Sequence, residues 1–281
     1  MRSAPVLGVR ALASVVMAYA LLAGCAEAAG PVAPDRAARP SGTSAHDARP
    51  AKDPTPRAQP YRRWGLTAPL PAPPSPPTRR PASRAGGALP VVDRVPTRDQ
   101  VVFLTYDDGA EKDPRFVDMV RELRLPVSMF LTDSVVGPGY GHFARLRSVG
   151  ASIQNHTLDH AALRGLPYAG QRAEICGQQN KLRARFGIRP QLFRPPYGTY
   201  DATTLRAAAD CGIAAVVLWR AAMEGDGELT YAKGPDRLRA GDIVSVPSGE
   251  PTGLSLRERT TRLLREIQGR GLTVGRLEDY V

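Results

Sequence analysis

Val101-Val102-Phe103-Leu104-Thr105-Tyr106-Asp107-Asp108-Gly109 is the stretch that decides how this 281-residue chain is read. Val101–Thr105 is a short, nearly continuous apolar run, the pattern of a strand buried on both faces rather than one with a solvated side. It ends in two adjacent carboxylates, which repel each other unless a cation or a shared proton separates their roles. Directly downstream, Asp113-Pro114 reads as a helix N-cap and first helical residue, followed by an apolar stripe at Phe116, Met119, Val120 and Leu123.

The alternation continues to the end of the chain. Pro126–Leu131 is strand-like, and His142–Val149 suits a short helix. Tyr168–Phe186 is a longer helix stopped by Gly187, and Gln191–Phe193 a brief strand. Asp201 caps a helix ending at Gly212. Ile213–Leu218, Ile243–Val246 and Leu272–Val274 read as strands, with the amphipathic helix Leu256–Ile267 between the last two. Strands alternating with helices predict parallel βαβ units, hence an α/β domain over residues 97–281 built as a compact or incomplete barrel. In such barrels chemistry gathers where strands end.

The first third has another texture. Residues 1–24 resemble a secretory signal, with Arg2 and Arg10 ahead of the apolar run Ala11–Leu22, which is short for a membrane span. Leu22-Ala23-Gly24-Cys25 resembles a bacterial lipobox, implying an exported chain held on the outer face of the cell membrane by lipid on Cys25. Residues 25–96 carry more than half of the 27 prolines and read as a disordered Pro/Ala/Arg-rich linker, with Tyr61 and Trp64 as a small docking patch. About half of the net charge of +11 lies in that linker, which suits anionic lipid or acidic wall polymer equally with a plain solvated spacer. Nucleic acid is not a partner expected of an exported chain. Export also permits Cys176 and Cys211 to pair, although two buried thiols fit the sequence equally well.

Three clusters fall at predicted strand ends: Thr105–Gly109, His156-Thr157-Leu158-Asp159-His160, and Arg194-Pro195-Pro196-Tyr197-Gly198. The two histidines, four residues apart, would share one face of a helical turn and suit a single metal ion. Tandem prolines after Arg194 stiffen the backbone, so that a guanidinium and a backbone N–H can be aimed.

In this order the clusters resemble the first three motifs of the NodB-homology polysaccharide deacetylases, carbohydrate esterase family four. The resemblance implies a distorted (β/α) barrel that removes acetyl groups from a polysaccharide such as peptidoglycan, a chitin-like polymer or xylan. Carried over, Asp108, His156 and His160 would bind a divalent metal, Zn2+ with Co2+ as the alternative. Asp107 would take the proton of the attacking water, Arg194 would orient Asp107, and Tyr197 would offer its backbone N–H to the oxyanion. An Asp-His-His face leaves coordination positions open, as a catalytic site requires. The default assembly is a monomer.

The later motifs depart from the family pattern. The aspartate usually found three residues after the tryptophan here numbered Trp219 is replaced by Ala222, with Glu224 and Asp226 nearby. The run Gly241–Val246 meets Pro247 where the family places a general-acid histidine, and proline has no proton to give. Asp107 itself, His142 or Asp133 could supply the proton, or the substrate could be an O-acetyl ester. A weakly active or non-catalytic glycan binder is the alternative to a hydrolase.

Overall fold

The computed structural model describes residues 59–80, 89–248 and 253–281. The expected signal segment 1–24, the lipid-bearing Cys25 and most of the expected linker lie outside the described residues. In chain order the elements are α1 (Pro60–Arg63), β1 (Val91–Val92), β2 (Val101–Asp108), α2 (Pro114–Leu123), β3 (Val127–Leu131) and α3 (Asp133–Val136). Then follow α4 (Tyr140–Ser148), β4 (Ser152–Asn155), α5 (Tyr168–Phe186), β5 (Leu192–Phe193) and α6 (Ala202–Asp210). The chain closes with β6 (Ala215–Val217), β7 (Ala221–Met223), β8 (Leu229–Tyr231), β9 (Ile243–Val246), α7 (Leu256–Gly269) and β10 (Thr273–Val274).

One sheet carries them in the order β1-β6-β5-β4-β3-β2-β9-β7-β8. Every pairing is parallel except the β7–β8 hairpin. The α/β architecture is therefore an incomplete, distorted barrel whose end strands, β1 and β8, are not hydrogen-bonded to each other. The deciding strand β2 sits centrally, with Val101–Tyr106 fully buried. It changes partner along its length, pairing with β10 at Val101–Val102 and with β9 from Phe103 to Tyr106. Its carboxyl end emerges beside the ends of β3, β4 and β9, which is where side chains can converge.

Local chemistry explains the helix limits. Asp113 accepts the Arg115 N–H at 2.9 Å and Pro114 opens α2, while Arg124 closes it in the left-handed conformation. Asp201 and Thr204 form a capping box at α6, and Ser255 and Glu258 form another at α7. Gly187, with φ of 68°, ends α5 as its sequence suggested. Cys176 and Cys211 are joined by a disulfide with 5.0 Å between Cα atoms, which decides the question left open by the sequence.

The linker expectation needs correcting where it is described. Trp64 and Leu66 are buried in the main core, and Trp64 Nε1 donates to Glu122 Oε2 at 2.8 Å. The strap continues over α7, where Arg265 donates to Gly65 O at 2.8 Å and Gln268 to Ala68 O at 3.0 Å. Val91–Val92 adds an edge strand beside β6. Tyr61 and Trp64 are thus domain structure rather than an outward docking patch. The partners of Trp64 and Gly65 lie some sixty and two hundred residues away, at a range that local composition does not report.

Two outcomes follow. Trp64→Ala empties a large buried site and is expected to lower stability by about 3 kcal/mol in urea unfolding. Replacing Cys176 and Cys211 together with serine opens a loop of 35 residues and is expected to cost about 3–4 kcal/mol in the same measurement under oxidising conditions.

Candidate metal centre and active site

Adjacent residues of a strand point to opposite faces, so Asp107 and Asp108 would ordinarily be separated by the sheet. They reach one cavity because Asp108 takes a left-handed backbone, with φ of 63°, a conformation that Asp tolerates better than most residues. Gly109 follows at φ of 87°, and a Cβ there would lie 2.8 Å from Phe143 Cζ and 2.9 Å from Val136 Cγ2. The sequence Asp-Asp-Gly is therefore a backbone device as well as a pair of charges.

The histidines converge by a similar route. Residues 156–160 form a loop after β4, not the helical turn expected from their spacing. Thr157 (φ 74°) and His160 (φ 57°) are both left-handed, and their side chains and amides pin the loop. Asn155 Oδ1 accepts the Thr157 N–H at 2.9 Å, and Thr157 Oγ1 accepts the His160 N–H at 3.1 Å. Thr132 Oγ1 donates to His156 O at 2.8 Å. Four of the five non-glycine residues with positive φ among those described, Asp108, Thr157, His160 and Tyr197, belong to the three clusters. Strained backbone collects at functional sites because only a strongly determined surrounding sustains it.

The donor set fits a cation. His156 Nδ1 lies 2.7 Å from Arg194 O, and since a carbonyl can only accept, Nδ1 carries the proton and Nε2 carries a lone pair. That lone pair faces Asp108 Oδ1 at 3.4 Å, and His160 Nε2 faces the same oxygen at 3.2 Å. Asp108 Oδ1 is buried and makes no hydrogen bond of acceptable geometry. Ligand bonds of roughly 2.0–2.1 Å in a tetrahedral arrangement separate donor atoms by about 3.3 Å. All three ligand atoms lie within 4.8 Å of one another.

Electrostatics match this reading. Burial raises the Asp108 carboxyl, but hydrogen bonding from His156, the positive charge of His156 and His160 when protonated, and a Ser248 hydrogen bond outweigh it and hold the group below the usual carboxylate range, the direction in which a bound cation would also act. Burial, aided by neighbouring His156 and opposed by Asp108 and Asp107, pushes His160 below the ordinary imidazole value, so its ring is neutral at pH 7.

Asp107 is held apart from this triad. Arg194 Nη1 donates to Oδ1 at 2.6 Å, and Ser245 Oγ donates to Oδ2 at 2.6 Å. Arg194 is completely buried, with its ring-plane neighbours Phe130 and Trp219 at 4.5 and 5.3 Å from the guanidinium carbon. Its remaining donors reach Val217 O and Leu218 O, both at 3.2 Å. Burial works against its charge, and Asp107 and Asp108 offset part of that cost.

Tyr197 has φ of 58° in the turn Pro196–Gly198, and its ring, 66% exposed, stands edge-on to His160 at 4.7 Å. Within that turn the Gly198 and Thr199 N–H groups bond to Pro195 O and Pro196 O. Asp107, Asp108, His156, His160, Tyr197 and Trp219 line a cavity of about 290 Å³. Its other wall is Ala222, Glu224, Ser245 and Pro247. Ser245 was not singled out by sequence, although a hydroxyl inside the apolar run Ile243–Val246 was the available signal.

Two expected proton sources do not line this cavity. His142 is buried on α4 against Phe143, and burial with Arg145 and Lys112 nearby lowers its pKa. Asp133 accepts the Tyr140 hydroxyl and pairs with Lys181 at 3.1 Å. Asp226 stays in its own turn, accepting the Glu228 N–H at 2.9 Å.

A family model for polysaccharide deacetylase matches residues 94–216. An uncharacterized protein of Streptomyces coelicolor, SCO4760, is 66% identical over 200 residues, which is 71% of this chain and 80% of that one. Residues 94–216 thus belong to a polysaccharide deacetylase family domain. A chitooligosaccharide deacetylase of Bradyrhizobium is 27% identical over 195 residues, 62% of this chain and 87% of its own. The fold is shared with a family 4 carbohydrate esterase from Bacillus anthracis (TM-score 0.56, 19% identity, 68% of this chain and 86% of that one). It is shared equally with BA3943, a family 4 pseudoenzyme of the same organism (TM-score 0.55, 17% identity, 66% of each chain).

Arg194→Ala would leave Asp107 charged and unpaired beside Asp108 and would orphan two carbonyls. A loss of about 3–5 kcal/mol is expected in denaturant unfolding, against under about 1 kcal/mol for an exposed arginine such as Arg206→Ala.

Proposed function

We propose that this chain is a metal-dependent hydrolase that removes acetyl groups from an N-acetylated, or O-acetylated, cell-wall or extracellular polysaccharide. The observation that supports it most is the division of labour between two neighbouring carboxylates. Asp108 faces two imidazole Nε2 atoms, while Asp107 is held off by Arg194 and Ser245. A site that only held a metal or a glycan would have no use for the second carboxylate.

The residues that would hold the ion are Asp108, His156 and His160, and zinc, with cobalt as the alternative, is the metal that suits one carboxylate and two imidazoles. Such an ion supplies Lewis acidity, acidifying water and polarising an acetyl carbonyl. Asp107 takes the attacking water's proton, its two oxygens already oriented by Arg194 and Ser245. The Tyr197 N–H, presented by the left-handed turn, meets the oxygen that gains charge in the tetrahedral state. Trp219 and the Tyr197 ring give the cavity apolar walls of the kind that pack against sugar rings. The lipobox reading places this activity at the outer face of the cell membrane, tethered through Cys25, and a monomer carries all the groups named.

One observation favours a second reading, that of a weakly active or non-catalytic glycan binder: Pro247 lines the cavity and can donate no proton. Acetate release separates the two. With Zn2+ present, the protein is expected to release acetate from chitooligosaccharides, peptidoglycan or acetylated xylan, and to lose that activity on chelation. Asp107→Asn is expected to lower kcat by about 10²–10⁴ while still binding zinc, whereas His156→Ala loses zinc in a competition titration. Glycan binding without acetate release from any of the three would decide for the binder.

A further inference from the structure

We propose that Glu224 is the proton donor to the leaving group, supplied by the strand next to the one that ends in Pro247; this rests on the hydrolase reading above. The strand register puts it there. β7 and β9 run parallel with Ala221 opposite Val244 and Ala222 opposite Ser245. Continuing the same steps brings Glu224 level with Pro247. Residues two apart on a strand share a face, so Ala222 and Glu224 lie on the same side as Ser245 and Pro247. All four line the cavity, as that alternation requires.

The position is built. Arg220 and Asp242, both buried just ahead of the two strands, join them by a two-pronged ion pair at 2.6 and 2.5 Å. This pair fixes the β7–β9 register on which the placement of Glu224 depends. At the far end the Glu224 N–H donates to Glu228 O at 2.9 Å, and Thr230 Oγ1 donates to Glu224 Oε1 at 2.7 Å. The carboxyl is therefore held by the hairpin rather than left to swing.

The other groups of the cavity already have work. Asp107 receives the water's proton, and Ser245 spends its own on Asp107. Asp108 Oδ1, His156 Nε2 and His160 Nε2 converge on one point, and the proton on His156 Nδ1 is tied to Arg194 O. Tyr197 stands mostly outside, edge-on to His160. Among the described lining residues, Glu224 is the carboxyl that remains.

The step balances as follows. The water oxygen bonds to the acetyl carbon and gives one proton to Asp107. The carbon–nitrogen bond breaks as the Glu224 carboxyl gives its proton to the leaving nitrogen, so that a neutral amine departs and acetic acid, still carrying the second water proton, remains and releases that proton to solvent as acetate. The proton on Asp107 returns through solvent to Glu224, and no other reactant is consumed.

The test compares two leaving groups on the full zinc-loaded protein. A sugar amine needs a proton to leave, whereas 4-nitrophenolate does not. For Glu224→Gln, kcat for acetate release from chitotetraose is expected to fall by about 10²–10³ while 4-nitrophenyl acetate turnover stays within about threefold. Zinc affinity by competition titration is expected to be unchanged, and Glu224→Asp to restore part of the amide activity. Undiminished amide turnover by Glu224→Gln would overturn the proposal, and so would an equal fall on both substrates, which marks a structural role. A wild-type protein active on the aryl ester alone would also overturn it. Failure of the wild type on both substrates would instead sink the hydrolase reading on which it rests.

Discussion

The site depends on one buried ion pair, Arg194 with Asp107. Arg194 is fully buried, and it is bonded to Asp107 on β2 and to Val217 and Leu218 at the end of β6, while its own carbonyl fixes the ring of His156. A guanidinium without partners at this depth would be heavily destabilising. With these partners it ties Asp107, the His156 ring and three strand ends into a single unit. The pair also decides which carboxylate does what: Asp107 is occupied by Arg194 and Ser245, so Asp108 is the one left facing the histidines.

The second constraint is backbone conformation. Left-handed residues at Asp108, Thr157, His160 and Tyr197 let side chains from different strand ends converge within a few ångströms. Each such residue costs of order 1–3 kcal/mol and has to be over-determined by its surroundings. The Asn155, Thr157 and Thr132 hydrogen bonds do this for the histidine loop, and the tandem prolines do it for Tyr197. The rigid parallel sheet beneath supplies the frame from which these loops are aimed.

Much of the frame was legible in the sequence because its signals are local. The apolar run into Asp107 marked β2, Asp113-Pro114 opened α2, and Gly187 closed α5, each through chemistry confined to a few residues. What escaped depends on distant partners. Trp64 is buried because Glu122 and the main core receive it, which proline content nearby does not reveal. The spacing of His156 and His160 suggested a helical turn, yet positive φ at Thr157 and His160 has no sequence signature comparable to glycine. In the sequence Glu224 stands out only as a neighbour of Ala222. Its place beside Pro247 appears once the β7–β9 register is known. The expected signal segment and Cys25 lie outside the described residues.

The central claim is that Asp108, His156 and His160 hold one ion while Asp107 stays off it. Anomalous diffraction at the zinc absorption edge, on crystals grown with Zn2+, tests this most directly. The account predicts a single peak within roughly 2.0–2.2 Å of Asp108 Oδ1, His156 Nε2 and His160 Nε2, with Asp107 still bonded to Arg194. A peak ligated by Asp107, or no peak at these three residues, would contradict it.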